Sequence, residues 1–142
     1  MSDVTLPVGA TRLTRAQQAL WASQLLHRDA PLYNMAFTFA IDGAVDETSF
    51  ASAFRQLVAD ADALRTVVDS ADGVPFQLVQ RELEFDLAVV DLTAAADPAA
   101  AAAEWAQQRC AQPMNLQERT FDSALLRLAA DSYVWYLCQH HV

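Results

Sequence analysis

The sequence contains no lysine, and each of its nine basic residues is an arginine. A lysine Schiff base and a lysine general base are therefore excluded within these 142 residues. The 18 acidic residues give a formal net charge of -9. This acidity argues against nucleic acids and anionic membranes as partners, because both are bound through clustered positive charge.

Cysteines and long apolar runs are also scarce. Cys110 and Cys138 are the two cysteines, and they lack the C-x-x-C spacing, which favours reduced thiols over a disulfide framework. No apolar run approaches the length of a membrane span, and the start, MSDVTLPVGA, has no apolar segment typical of a signal peptide. We therefore expect a cytoplasmic protein with one domain-sized core.

Helical patterns follow a lead-in, residues 1–13, which we expect to be irregular. Helices are predicted to begin near Thr14, Asp46 and Asp97, because each of these side chains can cap a helix. The T-x-x-Q spacing at Thr14 is that of a capping box, and a proline follows Asp97 as at many helix starts. The Asp97 helix, which is rich in alanine, should run to about residue 112.

Strand patterns fill the remaining segments. The alternation in MAFTFAID predicts a strand with one heavily buried face. Further strands are predicted at ALRTVV, VPFQLVQ and EFDLAVVDL, with the first two forming a hairpin. The end, SALLRLAADSYVWYLCQHHV, predicts two strands, the last of them central because both of its faces are apolar. We expect an α/β or α+β fold in which the helices pack on one mixed sheet.

Three stretches, in chain order, resemble the condensation domains of nonribosomal peptide synthetases. TRAQQALWAS keeps the alanine, glutamine, leucine and tryptophan of the family's S-x-A-Q-x-R-[LM]-[WY]-x-L. DADALRTVV keeps the L-R-T of R-H-E-x-L-R-T-x-F, but Ala61 and Asp62 replace its histidine and glutamate. The closing HHV matches the start of H-H-x-x-x-D-G. DGVPFQLV and PMNL resemble two intervening stretches of the family.

The resemblance implies a fold and a place in a longer chain. Residues 14–142 would form the N-terminal lobe of an acyltransferase shaped like chloramphenicol acetyltransferase. The rest of the third motif and a second lobe would lie downstream. Since Met1 stands about a dozen residues before the first motif, we expect either a donor on a separate protein or an enzyme that opens an assembly line, with a fatty-acyl starter as one option.

The resemblance also implies a reaction used in secondary-metabolite and antibiotic biosynthesis. The parent enzyme would join an acyl or aminoacyl thioester to an acceptor amine, forming an amide. Donor and acceptor carrier proteins would be its partners, together with downstream synthetase domains. The phosphopantetheine belongs to those carriers, so the domain itself would bind no cofactor and no metal. The 142-residue chain alone would be inactive.

The site residues implied by the resemblance are His140, His141 and Arg65. Along a strand, adjacent side chains point to opposite faces, so the two histidines should do different jobs. In the family the second histidine, here His141, faces the reaction channel, and the first, His140, is largely structural. Arg65 would support the motif by pairing with its aspartate, and without that partner it should be underpaired.

The sequence leaves several alternative sites and functions open. Cys138 and His140 have a C-x-H spacing that could hold a metal or form a thiol–imidazole pair, although a buried structural thiol explains the cysteine more simply. The chain could belong to an epimerisation or ester-forming relative, whereas heterocyclisation domains carry aspartate in place of His140. It could also be a catalytically silent module that recruits a partner protein, or an unrelated α+β binding protein.

Overall fold

Helices and strands are mixed along residues 5–142, the part of the chain that this computed structural model describes. Residues 1–4 of the expected lead-in lie outside it. In chain order the elements are β1 (Thr11–Arg12), α1 (Arg15–Leu26), β2 (Asn34–Asp42), α2 (Glu47–Asp60), α3 (Asp62–Arg65), β3 (Thr66–Ala71), β4 (Val74–Val79), β5 (Ala88–Asp91), α4 (Pro98–Cys110), β6 (Phe121–Ala129) and β7 (Ser132–His140).

The three predicted helix starts are confirmed. The Thr14 hydroxyl accepts a hydrogen bond from the Gln17 amide, and the Gln17 side chain accepts one from the Thr14 amide, which completes the capping box of α1. Asp46 accepts from the Ser49 amide at the start of α2. Asp97 caps α4 in the same way, with Pro98 in the first turn.

The strands form two sheets instead of the single sheet predicted. The larger has the order β2-β7-β6-β5 and is antiparallel except for the parallel pair β5–β6. The smaller, β1-β4-β3, is built on a hairpin whose turn residues, Asp72 and Gly73, both have positive φ. Such a tight turn returns the chain directly onto β3. The mixed α/β class is confirmed.

Helices α2 and α4 cover opposite faces of the larger sheet. Phe54 of α2 packs with Phe121 of β6 in one core cluster, whereas Ala106 of α4 packs with Leu126 and Tyr136 in another. Successive residues of a strand point to opposite faces, so β6 and β7 are apolar on both. β7 lies between β2 and β6, which confirms that the last strand is central. Small alanine side chains let α4 lie close to the sheet.

The prediction of a heavily buried face on β2 is wrong. Phe37 is 50% exposed and Phe39 is 45% exposed. Both alternate as predicted, but β2 forms the edge of its sheet and is paired on one side only, with β7. Phe39 instead packs against Trp135, with 5.1 Å between the ring centres. The alternation predicted correctly which residues share a face of the strand, but it did not show whether other residues cover that face.

Smaller differences concern element bounds. The lead-in includes the short strand β1 and the buried Leu13, so it is not irregular throughout. The first half of ALRTVV is the helix α3, and only the second half is strand. β5 covers four residues of EFDLAVVDL, α4 ends at Cys110, and β7 ends at His140. Among residues 5–142, no helix is long and apolar enough to cross a membrane.

Candidate active site

The two histidines lie at the end of β7, where backbone hydrogen bonds hold them from both sides. The amide of His140 donates to the Thr120 carbonyl oxygen at 2.8 Å, and the amide of His141 donates to the Tyr33 carbonyl oxygen at 3.0 Å. Tyr33 immediately precedes β2, the strand paired with β7. The main chain of the histidine pair is therefore fixed although the strand ends at His140.

His140 is buried, with 6% of its surface exposed. Its Nδ1 accepts a hydrogen bond from the Val142 amide at 3.1 Å, and its Nε2 lies 3.5 Å from the Gln24 Oε1. The Tyr33 ring meets the imidazole edge-on, with 5.9 Å between the ring centres. Burial, and to a lesser extent the neighbouring His141, lower the pKa of His140 to about 4. The ring is therefore neutral at pH 7.

His141, in contrast, is exposed. It follows the last residue of β7, so the strand ends one residue earlier than predicted. The two adjacent imidazoles thus have different surroundings, one enclosed and one open to solvent. This arrangement allows His141 to meet a substrate while His140 supports it. The catalytic roles of both remain predictions.

Arg65 is better paired than predicted. Its Nη1 donates to the Gln80 carbonyl oxygen at 2.6 Å, and its Nη2 lies 2.5 Å from the Asp62 carboxylate. A longer contact reaches the Arg81 carbonyl oxygen at 3.4 Å, while Nε is buried without a hydrogen bond. Arg65 ends α3 instead of lying within a strand, so its guanidinium reaches the end of β4. None of these partners belongs to the histidine pair.

Thr120 connects the second motif to the histidines. Its hydroxyl donates to the Thr66 carbonyl oxygen at 3.2 Å, and its own carbonyl oxygen accepts from the His140 amide. A similar contact joins the first motif to the smaller sheet, since Gln17 donates to Gln77 at 3.2 Å. The motifs, separated along the chain, are thus linked by hydrogen bonds in the fold.

A cavity of about 390 Å³ lies between α1, β3 and the loop before β6. Gln24, which contacts His140, forms part of its wall. Its other lining residues combine apolar, amide and charged side chains, among them Trp21, Leu25, Arg28, Asp69 and Met114. The space has the size and mixed chemistry of a small-molecule pocket.

Cys138 and His140 share one buried face of β7, but their surroundings differ. Cys138 is buried in the core beneath α4, and burial raises the pKa of its thiol to about 11. Among residues 5–142, no group of three or more histidine, cysteine or acidic side chains could hold a metal ion. Core packing explains Cys138, and the absence of a bound metal stays a prediction.

Sequence reasoning did not select Gln24 or Thr120. Gln24 follows the motif residue Gln17 by seven positions, which places both on one side of α1. This seven-residue spacing could have identified Gln24 from the sequence. Thr120 carried none, because its role depends on the packing of the loop before β6 against the smaller sheet.

The sequence is similar to short parts of much longer peptide synthases. It is 40% identical over 133 residues to an isonitrile lipopeptide synthase of Streptomyces coeruleorubidus, and 32% identical over 132 residues to a dimodular nonribosomal peptide synthase of Bacillus subtilis (strain 168). Each alignment covers 92% of this chain, but only 9% and 6%, respectively, of the relative. The chain thus spans a small part of each of these synthases.

The chain is also similar to solved structures of condensation domains. The starter condensation domain of rhizomide synthetase is 37% identical, with a TM-score of 0.87; the match covers 93% of this chain and 32% of that one. The first condensation domain of the CDA synthetase, at 23% identity and a TM-score of 0.86, shares the fold and is covered to 36%. The family profile "Condensation domain" matches residues 9–142. The chain belongs to the condensation domain family.

Proposed function

We propose that this chain forms the histidine-bearing lobe, residues 14–142, of an enzyme that joins a carrier-bound acyl or aminoacyl thioester to an acceptor amine. One observation carries the proposal: in a member of the condensation domain family, His141 is exposed directly after a buried, neutral His140. The acyl donor and the amine would each arrive on the phosphopantetheine arm of a carrier protein.

We further infer a fatty-acyl donor. A double mutant of the rhizomide starter domain, 35% identical to this chain, was crystallised with C8-CoA and Leu-SNAC, an acyl thioester and an aminoacyl thioester. The Streptomyces relative is named as a lipopeptide synthase. Both favour a starter reaction that attaches a fatty acid to an amino acid.

The proposed step is an acyl transfer from sulfur to nitrogen. The amine nitrogen attacks the thioester carbon, the carbon–sulfur bond breaks, and an amide forms. The amine proton must leave, and a neutral imidazole at His141 can accept it and return a proton to the departing thiolate. Proton transfer of this kind contributes roughly 10²–10⁴-fold, and holding the two reactants together can contribute more.

We expect both thioesters to be held beside His141 in a channel with two walls, one of them formed by this chain. The solved starter domain is about three times as long as the aligned part of this chain, which covers 32% of it. We place the second wall in residues outside these 142. The chain alone should therefore give no turnover, because its imidazole would lack both the second wall and the rest of the motif turn.

A carrier-to-carrier transfer assay tests this function. The enzyme is the full synthetase that contains the domain, charged with an octanoyl donor carrier and an aminoacyl acceptor carrier. His141→Ala should lower amide formation by roughly 10²–10⁴-fold. His27→Ala is the matched control, because the His27 side chain hydrogen-bonds to the Ser23 carbonyl oxygen of α1 and, among residues 5–142, not to the histidine pair.

Two outcomes would contradict the proposal. A His141→Ala synthetase that works at the wild-type rate would favour a silent recruitment module, or a domain that acts by positioning alone. Turnover by the 142-residue chain would show that no second wall is required.

A further inference from the structure

We propose that Gln24 is a positioning residue for the histidine pair. Its side-chain oxygen holds His140 in the Nε2–H tautomer, and that tautomer fixes the turn that carries His141. The importance of this turn for catalysis rests on the function proposed above, whereas the tautomer of His140 does not.

The orientation of the Gln24 amide is set by its own helix end. Its Nε2 donates to the His27 carbonyl oxygen at 3.0 Å and to the Ala30 carbonyl oxygen at 2.9 Å. A carboxamide has two donor hydrogens, and both are used by these bonds. The oxygen is therefore the atom that faces His140, 3.5 Å from its Nε2.

This oxygen decides where the proton of His140 lies. Because a carboxamide oxygen only accepts hydrogen bonds, the Nε2 of His140 must carry the hydrogen. A neutral imidazole has one N–H group, so Nδ1 is left as an acceptor. The Val142 amide donates to that atom at 3.1 Å. The two contacts thus require the same tautomer.

The hydrogen bond from the Val142 amide to the His140 ring closes a small turn that contains the main chain of His141. On one side the His141 amide is bound by the Tyr33 carbonyl oxygen, and on the other the Val142 amide is bound by the His140 ring. If the proton moved to Nδ1, two N–H groups would face each other and the Val142 bond would be lost. Gln24 therefore acts on His141 through His140, without touching a substrate itself.

The experiment compares tautomers by ¹⁵N NMR of the 142-residue chain at pH 8. Long-range imidazole spectra distinguish Nε2–H from Nδ1–H, and amide exchange reports the Val142 bond. Gln24→Met keeps the length of the side chain but removes its acceptor. It should shift the tautomer ratio of His140 by about fivefold towards Nδ1–H, the equivalent of one hydrogen bond, and speed the exchange of Val142.

Two further variants separate this role from a structural one. Gln24→Glu loses both donors to the helix end but keeps an acceptor, so His140 should remain Nε2–H. Gln18→Met is the matched control, since it removes a side-chain bond from α1 to the Leu13 carbonyl oxygen, away from His140. It should leave His140 and Val142 unchanged.

An unaltered tautomer and unaltered Val142 exchange in Gln24→Met would overturn the proposal. So would the loss of the Nε2–H tautomer in Gln24→Glu. In the synthetase, Gln24→Met should lower kcat, because the turn that carries His141 is no longer held in place. Should His141→Ala prove harmless while Gln24→Met still shifts the tautomer, the proposed function would fail and the positioning of the turn would stand.

Discussion

Burial gives two neighbouring histidines different chemistry. His140 is enclosed by Tyr33, Gln24 and Val142, whereas His141 is exposed. The strand period predicted that they would do different jobs. Which of them is buried came from the resemblance and not from the alternation, because alternation alone does not show which face is covered. The lowered pKa of His140 is a direct consequence of that cover.

The pKa of His140 predicts how stability depends on pH. In the unfolded chain this ring takes up a proton near its ordinary pKa of 6.5, but in the folded protein only near 4. Its neutral form therefore stabilises the fold fully above pH 6.5, and this stability is lost as the pH falls towards 4. The loss should reach roughly 3 kcal/mol at most.

Urea unfolding at pH 7, 5.5 and 4.5 checks this expectation. The wild-type free energy of unfolding should fall more steeply with acidity than that of His140→Asn, which has no titrating ring. His141→Asn is the comparison variant: because His141 adds slightly to the lowering of the His140 pKa, this change should reduce the slope much less than His140→Asn does. Parallel slopes for wild type and His140→Asn would show that His140 titrates normally in the fold.

Cys138 should be chemically silent in the folded protein. Its thiol is buried and its pKa is raised to about 11, so little reactive thiolate forms at pH 8. We expect iodoacetamide to modify Cys110, which is half-buried, well before Cys138, and urea to abolish the difference. Peptide mass spectrometry reads out both sites. Equal labelling of the two cysteines without denaturant would contradict this.

At the scale of elements, features that depend on contacts between residues close in sequence could be predicted correctly. The caps at Thr14, Asp46 and Asp97 satisfy amides within three residues, so the sequence predicted these helix starts correctly. Residues 63–65 belong to the predicted strand ALRTVV but are helical, and Arg65 at the end of this helix binds the distant Gln80. Gln80 directly follows β4, and spacing along the chain does not reveal this contact.

The pair β6–β7 is joined by a buried hydroxyl. Ser123 donates to the Tyr136 carbonyl oxygen at 2.8 Å and accepts from the Trp135 Nε1 at 2.9 Å. Ser123→Ala leaves the indole N–H without its partner and should lower the free energy of unfolding by about 1–3 kcal/mol. Urea denaturation measures the effect.

The exposed Ser70 offers the control for this change, because Ser70→Ala removes a hydroxyl from a strand surface. It should alter stability by less than about 0.5 kcal/mol. In a Trp135→Phe background the Ser123→Ala effect should shrink, since no indole donor is left unpaired. If Ser123→Ala lowered the free energy of unfolding by the same amount in that background, the stabilisation would come from the bond to the Tyr136 carbonyl oxygen alone.

At the scale of the whole molecule, α2 and α4 pack on the two faces of the larger sheet, while each of its edge strands is paired on one side only. β2 and β5 are the two edge strands. β2 is longer and carries Phe37 and Phe39, each about half exposed, whereas β5 exposes Val89. Exposed apolar side chains on a free strand edge are a template for association with another chain.

We therefore expect the 142-residue chain to self-associate through β2. Sedimentation velocity across a range of concentrations should show dimers or larger species for the wild type. Phe37→Thr/Phe39→Thr keeps residues of high strand propensity but removes the aromatic surface, so it should shift the chain towards monomer. Val89→Thr makes a matched change on the opposite edge and should sediment as the wild type does. If Val89→Thr dissociated the chain equally well, or if the wild type stayed monomeric at high concentration, β2 would not be the associating edge.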